Sequence, residues 1–327
     1  MTINKTTEET MTIERRKVLV LAATAAGALV VPHAAAQNFP SRPVRVVVAS
    51  GVGGASDIVA RMVQRAVART SPHPFVVANM PGGGTSIGGR EVASAAPDGH
   101  SVLMMHEAVI VATAQGIFKP GIEELTPLAI TGRDIYTVVV NGTSPYRTLK
   151  DLYDAARTRS VRTAVNIGGL NHFTSLLAAQ SAKVEIRPVQ HGSGADSVRS
   201  LLGNQVEVIF TVPSDVIEYQ KSGQMRILGI MSDRRSVYLP EVPTTAEAGF
   251  PSISDLNHMW WVPKATPADR VAWLRGQLKS AMEDAEVRSQ MSRLTIEQTF
   301  LTGADVEAHV GRKKAEIQIL VDKFGLR

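Results

Sequence analysis

The stretch from Val44 to Arg61 constrains the fold of this chain more than any other. A β-branched run, Val44–Val48, ends at a glycine loop, Gly51–Ala55, and a helical pattern begins at Ser56 and Asp57. A strand that runs through glycines into a helix leaves several backbone N–H groups without partners, and the helix dipole adds positive potential beside them. The stretch therefore predicts an anion-binding site on a βα unit.

The rest of the chain repeats this alternation of strands and helices, which predicts an α/β fold with parallel sheets. The strand candidates are Val44–Ser50, Phe75–Asn79, Ser101–His106, Leu128–Thr131, Tyr136–Val140, Arg162–Ile167, Val184–Gln190, Val206–Thr211 and Arg226–Met231. The helix candidates are Asp57–Thr70, Ser86–Ala95, Leu149–Arg157, His172–Ala182, Ala195–Gly203, Asp215–Ser222, Pro267–Met282, Ala285–Leu294 and Gly303–Phe324.

A turn cluster, Asn141–Pro145, begins a second βα series, and the strand candidate Arg226–Met231 closes it. We therefore predict two lobes, each with a mostly parallel sheet, joined by a two-strand hinge. The first lobe comprises residues 37–138 and 229–327, and the second comprises residues 139–228. Because ligands of open α/β sheets sit beyond the carboxyl ends of the strands, the βα loops of both lobes should face one cleft.

Residues 1–36 have the pattern of an export signal. Arg15-Arg16-Lys17 precedes an apolar run, Val18–Val31, and Ala34–Ala36 offers small residues for cleavage. The apolar run is too short to span a bilayer. We expect cleavage near Ala36, a periplasmic protein, and no membrane insertion of the mature chain. The two arginines also fit a twin-arginine (Tat) signal, and the choice between the two export routes stays open.

Composition excludes several classes of function. The chain has no cysteine, which rules out disulfides, thiol catalysis and cysteine metal sites. The net charge of +5 is not clustered and aromatic residues make up only 5%, so we expect no nucleic-acid partner. The eight histidines show no H-E-x-x-H or similar ligand spacing, so we expect no metal and no cofactor.

Glycine and small polar residues recur in the loops that follow the strand candidates of both lobes. For a single loop, turn formation explains the glycines; the repetition favours backbone N–H groups that bind a ligand. The loops are Gly51–Ser56, Pro81–Ser86, His106-Glu107, Gly168–His172, His191–Gly194 and Thr211–Ser214.

Gly84–Gly88 matches the G-x-S-x-G pattern of a hydrolase nucleophile elbow. An elbow needs its serine on the strand-to-helix turn, whereas a proline and three glycines separate Ser86 from the preceding strand candidate. We therefore predict that Ser86 is a helix N-cap, and an exported hydrolase remains the alternative.

At this level of detail the mature chain resembles the extracytoplasmic solute-binding receptors of tripartite tricarboxylate transporters, the Bug family. The resemblance covers nearly the whole mature chain, and its specificity lies in the order and spacing of short motifs. These are Phe39–Pro43, Gly53–Asp57, Asn79–Gly82 with Ile87-Gly88, Ala96–Gly99, Leu201–Val206, Leu239–Thr244 with Ala246–Gly249, Trp260, and Pro263–Pro267.

The resemblance implies a two-lobed periplasmic binding protein of type II-like fold, without enzymatic activity, that closes over a small carboxylate ligand. It also implies membrane transporter subunits of the tripartite tricarboxylate type as partners, and we expect a monomer. The ligand-binding candidates are Gly53, Gly54, Ala55, Ser56 and Asp57 in the first lobe's glycine loop, Gly168, Gly169, Asn171 and His172 in the second lobe's, with Thr85, His106, Glu107, Gln190 and His191 around them.

This chain departs from the family pattern at four places, which leaves the ligand's identity open. Val52 stands where proline is usual, Gly169 replaces a hydroxyl residue, and Gln190-His191 replaces an aromatic residue and a cation. His106-Glu107 replaces small residues, either as a solvated loop or as ligand contacts. A Glu107 facing the cleft would disfavour a tricarboxylate and favour a monocarboxylate with an amine or another donor. A receptor used for sensing rather than transport is a further alternative.

Overall fold

The computed structural model describes residues 39–192 and 194–326, so the predicted export signal lies outside the described residues. The chain divides into a segment that ends at Ser41 and a unit from Arg42 to Arg327. The described part of the first segment contains a cis peptide bond between Phe39 and Pro40. All helices and strands described below belong to the second unit, which contains two sheets flanked by helices.

The first sheet has six strands in the order β11-β4-β10-β3-β1-β2. The parallel part of this sheet is formed by β1 with its neighbours β2 and β3. The six strands are β1 (Val44–Val48), β2 (Phe75–Asn79), β3 (Ser101–Met104), β4 (Leu125–Ile135), β10 (Asp255–Pro263) and β11 (Leu301–Thr302).

The second sheet has five strands in the order β7-β6-β8-β5-β9. Its parallel part is formed by β6 with its neighbours β7 and β8. The five strands are β5 (Thr137–Asn141), β6 (Val161–Val165), β7 (Ile186–Gln190), β8 (Val208–Thr211) and β9 (Met225–Ile230).

Helices connect the parallel strands and cover both sheets, as expected for an α/β protein. The α-helices are α1 (Ala55–Thr70), α2 (Ser86–Ala93), α3 (Ala108–Ala114), α4 (Leu149–Thr158), α5 (Leu170–Ala182), α6 (Gly194–Leu202), α7 (Pro213–Lys221), α8 (Ala268–Glu283), α9 (Ala285–Arg293) and α10 (Ala304–Phe324). The α/β two-lobed fold predicted from the sequence is confirmed.

The prediction of mostly parallel sheets needs correction, because both sheets are mixed. In the first sheet β10 is antiparallel to β3 and β4, and in the second β5 is antiparallel to β8 and β9. The antiparallel strands arise where the chain passes from one sheet to the other. The chain leaves β4 directly for β5 through one residue, and it returns from the second sheet into β10.

The crossing segments are hydrogen-bonded to one another. The N–H of Tyr136 donates to the carbonyl of Ser254 at 3.0 Å, and the N–H of Met231 donates to the carbonyl of Tyr136 at 2.8 Å. The N–H of Ser254 in turn donates to the carbonyl of Met231 at 3.0 Å. Three strand-like segments therefore form a connected junction between the two sheets.

Three elements were missed by the sequence analysis, namely β10, α3 and the two-residue strand β11. Strand β10 lies between β3 and β4, and its adjacent Trp260 and Trp261 are both buried, because a central strand is covered on both faces. Such a strand lacks the alternation of polar and apolar residues that marks a half-exposed strand. Helix α3 has an almost entirely apolar sequence of seven residues, too short to show a helical period.

The division of the chain into residues 37–138 with 229–327 and residues 139–228 remains a prediction. Leu239 and Val242, which follow β9, pack in a buried cluster with Val139 and Ile209 of the second sheet. In the described part of the chain, none of the helices combines the length and the apolar character needed to cross a membrane.

Candidate ligand-binding site

The glycine loop after β1 is held by the first turn of α1. Gly53 has a φ of +81°, a conformation that favours glycine, and its N–H donates to Oδ2 of Asp57 at 2.9 Å. The same carboxylate accepts hydrogen bonds from Nε of Arg61 at 3.0 Å and from Nδ2 of Asn79 at 2.9 Å. Burial raises the pKa of Asp57, but these hydrogen bonds outweigh it and leave the pKa below the ordinary value. Asp57 therefore fixes the loop as a buried anion.

The glycine loop after β6 has the same construction. Gly168 has a φ of +80°, and its N–H donates to Nδ1 of His172 at 3.1 Å. The N–H of Ile167 donates to Oε1 of Gln190 at 2.9 Å, and the N–H of Asn166 donates to the side-chain oxygen of Asn171 at 3.2 Å. The side chains of Asn171, His172 and Gln190, all predicted to bind the ligand, thus accept hydrogen bonds from the backbone of the loop and hold it in place.

The loop N–H groups that the sequence offered for ligand binding are therefore occupied. Gly53 and Gly168 donate to the side chains four residues ahead, and Gly169 donates to the carbonyl of Asn166 at 2.7 Å. Gly54 donates to the carbonyl of Gly51 at 3.4 Å. A helix leaves its first N–H groups without intrahelical acceptors. The donors that remain for an anion are those of the first turns: Ala55, Ser56 and Asp57 in α1, and Leu170 and Asn171 in α5.

The starts of α1 and α5 both lie at the boundary between the two sheets. Ala55 and Leu170, the first residues of the two helices, pack against the same buried cluster, which contains Tyr136 and Leu256. Leu170 also packs against the core of the first sheet. A Cβ added to Gly168 would lie 2.8 Å from Nε2 of Gln115, at the end of α3, so the second loop touches the first lobe. Two positive helix ends therefore lie at the boundary between the sheets.

Ser56, at the start of α1, and Thr85, in the loop after β2, carry hydroxyl groups without partners among the described residues. Ser56 is only 2% exposed, and its Oγ is buried without a hydrogen bond. The Oγ1 of Thr85, in the loop after β2, is buried and unpaired as well. Thr85 also has a φ of +77°, which is rare for a β-branched residue and is often found at functional sites. Since an unsatisfied buried hydroxyl is costly, both groups are suited to bind a ligand.

Ser86 offers no support for the hydrolase alternative. It begins α2 rather than capping it, since Thr85 occupies the N-cap position. Its Oγ accepts a hydrogen bond from Nη2 of Arg90 at 2.9 Å, and the residue is 1% exposed. A nucleophilic serine needs a base that accepts its proton, whereas a guanidinium only donates.

Glu107 binds within the protein. Its carboxylate accepts hydrogen bonds from the backbone N–H of Asn257 at 2.9 Å and from Nδ2 of Asn257 at 2.7 Å. Its Oε1 lies 3.6 Å from Nε2 of His309, and Glu107 is 1% exposed. The sequence left two alternatives for Glu107, a solvated loop and a carboxylate that faces the ligand. This arrangement fits neither of them. It fastens β10 to the loop after β3.

The two histidines near these loops have different surroundings. Nδ1 of His106 accepts a hydrogen bond from the N–H of Ala108 at 3.2 Å, and burial lowers the pKa of His106 to about 4. His106 is therefore a neutral group at pH 7. The ring of His191 lies 3.1 Å from Oγ of Ser200, and the backbone N–H of His191 donates to the carbonyl of Val165 at 2.7 Å. His191 thus contacts its own lobe.

Three residues near the site were missed by the sequence analysis. Gln115 touches the second loop and Leu170 begins α5, but neither has a residue pattern that distinguishes it. Asp215 lies in the first turn of α7, after the loop Thr211–Ser214 that the sequence did select. An acidic residue at a helix start is too common to indicate a site.

Comparison with known proteins places this geometry in a family. The model of the tripartite tricarboxylate transporter family receptor matches residues 59–326. BugT of Bordetella pertussis is 30% identical over 267 residues, which cover 77% of this chain and 80% of BugT. A protein encoded in the tcbD–tcbE intergenic region of Pseudomonas sp. strain P51 is 30% identical over 270 residues, 79% of either chain.

Solved structures agree with this assignment. The periplasmic binding protein BugD superposes with a TM-score of 0.79 at 26% identity, covering 88% of this chain and 99% of BugD. Rpa4515 of Rhodopseudomonas palustris, solved with adipate, superposes with a TM-score of 0.82 at 22% identity and the same coverage, and so shares the fold. The chain belongs to the tripartite tricarboxylate transporter family of receptors, which are solute-binding proteins.

Proposed function

We propose that this protein is a periplasmic receptor that captures a small carboxylate between its two lobes and delivers it to a membrane transporter of the tripartite tricarboxylate type. The observation that supports the proposal most is the position of two helix starts, with unoccupied first-turn N–H groups, at the boundary between the two sheets. Ala55 and Leu170 pack against one cluster, and the hydroxyl of Ser56, next to Ala55, is buried without a partner among the described residues. Backbone N–H groups at helix starts bind carboxylates well, because donors and dipole act together.

Each ligand-binding role follows from this arrangement. The first-turn N–H groups of Ala55, Ser56, Asp57, Leu170 and Asn171 would hold the carboxylate, and the hydroxyls of Ser56 and Thr85 would add hydrogen bonds. Gly53, Gly54, Gly168 and Gly169 would let the ligand approach the backbone. Asp57, His172 and Gln190 would keep the loops in place, as their hydrogen bonds indicate.

A thermal-shift screen tests the proposal. The purified chain without residues 1–36 is measured with mono-, di-, amino- and aromatic carboxylates, each against its matching alcohol. A ligand present at 100 times its Kd should stabilise the protein by about 2.7 kcal/mol. We expect at least one carboxylate to raise the Tm and its alcohol to leave the Tm unchanged. No shift with any carboxylate would contradict the proposal.

Export and delivery need separate measurements. Protein recovered from the periplasm should begin near Gln37, and a chain that keeps its first 36 residues would contradict the export step. Cross-linking in intact cells should capture transporter subunits in the presence of ligand. Capture of a sensor kinase instead would favour the sensing alternative.

A further inference from the structure

We propose that Asp215 selects ligands that carry a protonated amine in addition to the carboxylate. This inference rests on the proposed function and deepens it, because it names the class of ligand. It arises from the position of Asp215 among the loops of the second lobe and from the lack of a cation beside it.

Asp215 lies at the edge of the second sheet where the parallel strands end. Ala164 of β6 pairs with Ile209 of β8, and continuing this register places Thr211 beside Asn166, where the second glycine loop begins. The hydroxyl of Thr211 donates to Oδ2 of Asp215. Asp215 is thus held next to the loop whose helix start would bind the carboxylate.

A third loop also reaches Asp215. A Cβ added to Gly194, the first residue of α6, would lie 3.2 Å from Oδ2 of Asp215. Ser214, directly before Asp215, has a buried hydroxyl without a partner among the described residues. The loops after β6, β7 and β8 therefore converge around one half-buried carboxylate.

The charge of Asp215 is not compensated within the described part of the chain. No lysine, arginine or histidine there lies within ion-pair distance of it, and its Oδ1 has no hydrogen-bond partner among the described residues. The charged group that acts on it, Asp134, has the same sign and is hydrogen-bonded to His258. The dipole of α7 stabilises the carboxylate in part, but burial has the larger effect and raises the pKa of Asp215 to about 6.

At pH 7 a carboxyl group with this pKa is mainly ionised, so it favours a ligand that brings a positive charge. An ammonium donates hydrogen bonds and supplies the missing counter-charge, whereas a second ligand carboxylate would be repelled. The helix starts bind one negative group, and Asp215 binds one positive group. The site therefore fits a zwitterionic amino-carboxylate better than a dicarboxylate.

Titration calorimetry with matched probes tests this inference. The probes are 4-aminobutyrate, 4-hydroxybutyrate, butyrate and glutarate, together with alanine, lactate and propionate. In each series we expect the wild-type protein to bind the amino acid at least tenfold more tightly than the hydroxy acid and the unsubstituted acid. In the first series it should also bind 4-aminobutyrate at least tenfold more tightly than the diacid glutarate. Asp215→Asn keeps an acceptor for Thr211 and removes the charge, so the preference should fall at least tenfold.

Glu218→Gln is the matched control, since it makes the same change in charge on the same helix at an exposed residue that pairs with Lys221. It should keep the full preference for the amine. If Asp215→Asn does not fold, Asp215→Ser gives the same comparison. A stronger preference for hydroxy acids or diacids, or a preference that survives both Asp215 variants, would overturn the inference while leaving carboxylate binding intact. The absence of binding by every probe and by the wider carboxylate panel would instead contradict the proposed function.

Discussion

The backbone N–H of Gly168 donates to Nδ1 of His172, at 3.1 Å, just as the N–H of Gly53 donates to the carboxylate of Asp57 at 2.9 Å. In both loops a glycine with φ near +80° is followed by a glycine at the N-cap of a helix. The two lobes thus use one device, in which a side chain four residues ahead fixes the loop. The apolar residues before these glycines, Val52 and Ile167, are 75% and 53% exposed. Because the N–H groups of these loop glycines are already paired, the donors that remain for a ligand are the first-turn N–H groups of α1 and α5.

Removal of the Asp57 carboxylate should destabilise the protein and loosen the first loop. Asp57→Ala leaves the N–H of Gly53 and the side chains of Arg61 and Asn79 without their acceptor. Loss of hydrogen bonds to a buried charged group costs roughly 1–3 kcal/mol of unfolding free energy. Urea denaturation measures this change. Asp269→Ala, an exposed acid in the first turn of α8, should change the unfolding free energy by less than about 0.5 kcal/mol. Equal effects of the two variants would contradict the role of Asp57.

The pH dependence of stability should report His172 and His106. Burial lowers the pKa of both below the ordinary value of 6.5. Between the lowered pKa of each histidine in the folded protein and 6.5, the unfolded chain binds more protons than the folded protein. The unfolding free energy therefore falls as the pH drops below about 6.5. Each histidine contributes at most about 1.4 kcal/mol per pH unit. Asp215 acts in the opposite direction between its ordinary value of 3.8 and about 6, because its pKa is raised.

A variant separates these contributions. His172→Asn retains an acceptor for the N–H of Gly168 and removes the titrating ring. Urea denaturation of both proteins from pH 7.5 to 4.5 should give a smaller loss of stability for the variant below pH 6.5. Parallel curves for the two proteins would show that His172 is not held neutral by the fold.

The pair formed by Asp134 and His258 should be among the most sensitive positions for stability. The two side chains are 2.9 Å apart, fully buried, and located on adjacent strands close to the junction of the sheets. Removing one partner of a buried hydrogen bond leaves the other group unsatisfied, which costs about 1–3 kcal/mol and more when that group is charged. His258→Ala should therefore lower the unfolding free energy by about this amount in denaturant titrations. Lys150→Ala, which breaks an exposed pair with Asp154, should cost no more than about 1 kcal/mol. A loss for His258→Ala as small as that would contradict this account.

Much of the fold could be predicted because local patterns and tertiary contacts agree. The glycine loops, their helices and the α/β class follow from β-branched runs and glycine turns within short windows. Strand β10 could not be predicted, since its burial depends on β3 and β4, which are distant in the sequence. The antiparallel pairings of β5 and β10 could not be predicted either, because they arise where the chain passes from one sheet to the other.

The site could be predicted only in part, for a related reason. The sequence indicated which loops carry the site, whereas hydrogen bonds within the loops decide which atoms stay free. Gln190 was predicted as a ligand contact, but its amide oxygen accepts from Ile167 in the neighbouring loop. Glu107 was considered as a group facing the ligand, but its partner Asn257 lies 150 residues away. Asp215 gave no signal, because its lack of a counter-ion exists only in the folded protein.

The central claim is that an anion binds at the start of α1, and Gly54→Val tests it most directly. Gly54 has a φ of −76° and a ψ of 165°, which any residue adopts, and a Cβ there would lie no closer than 3.5 Å to other atoms. The variant should keep its Tm, while its side chain blocks approach to the first-turn N–H groups. Gly276→Val, at an open position within α8, serves as the control for the effect of valine itself. Titration calorimetry is performed with the carboxylate that gives the largest thermal shift. We expect Gly54→Val to weaken binding at least tenfold and Gly276→Val to leave the Kd unchanged; a folded Gly54→Val protein with wild-type affinity would contradict the claim.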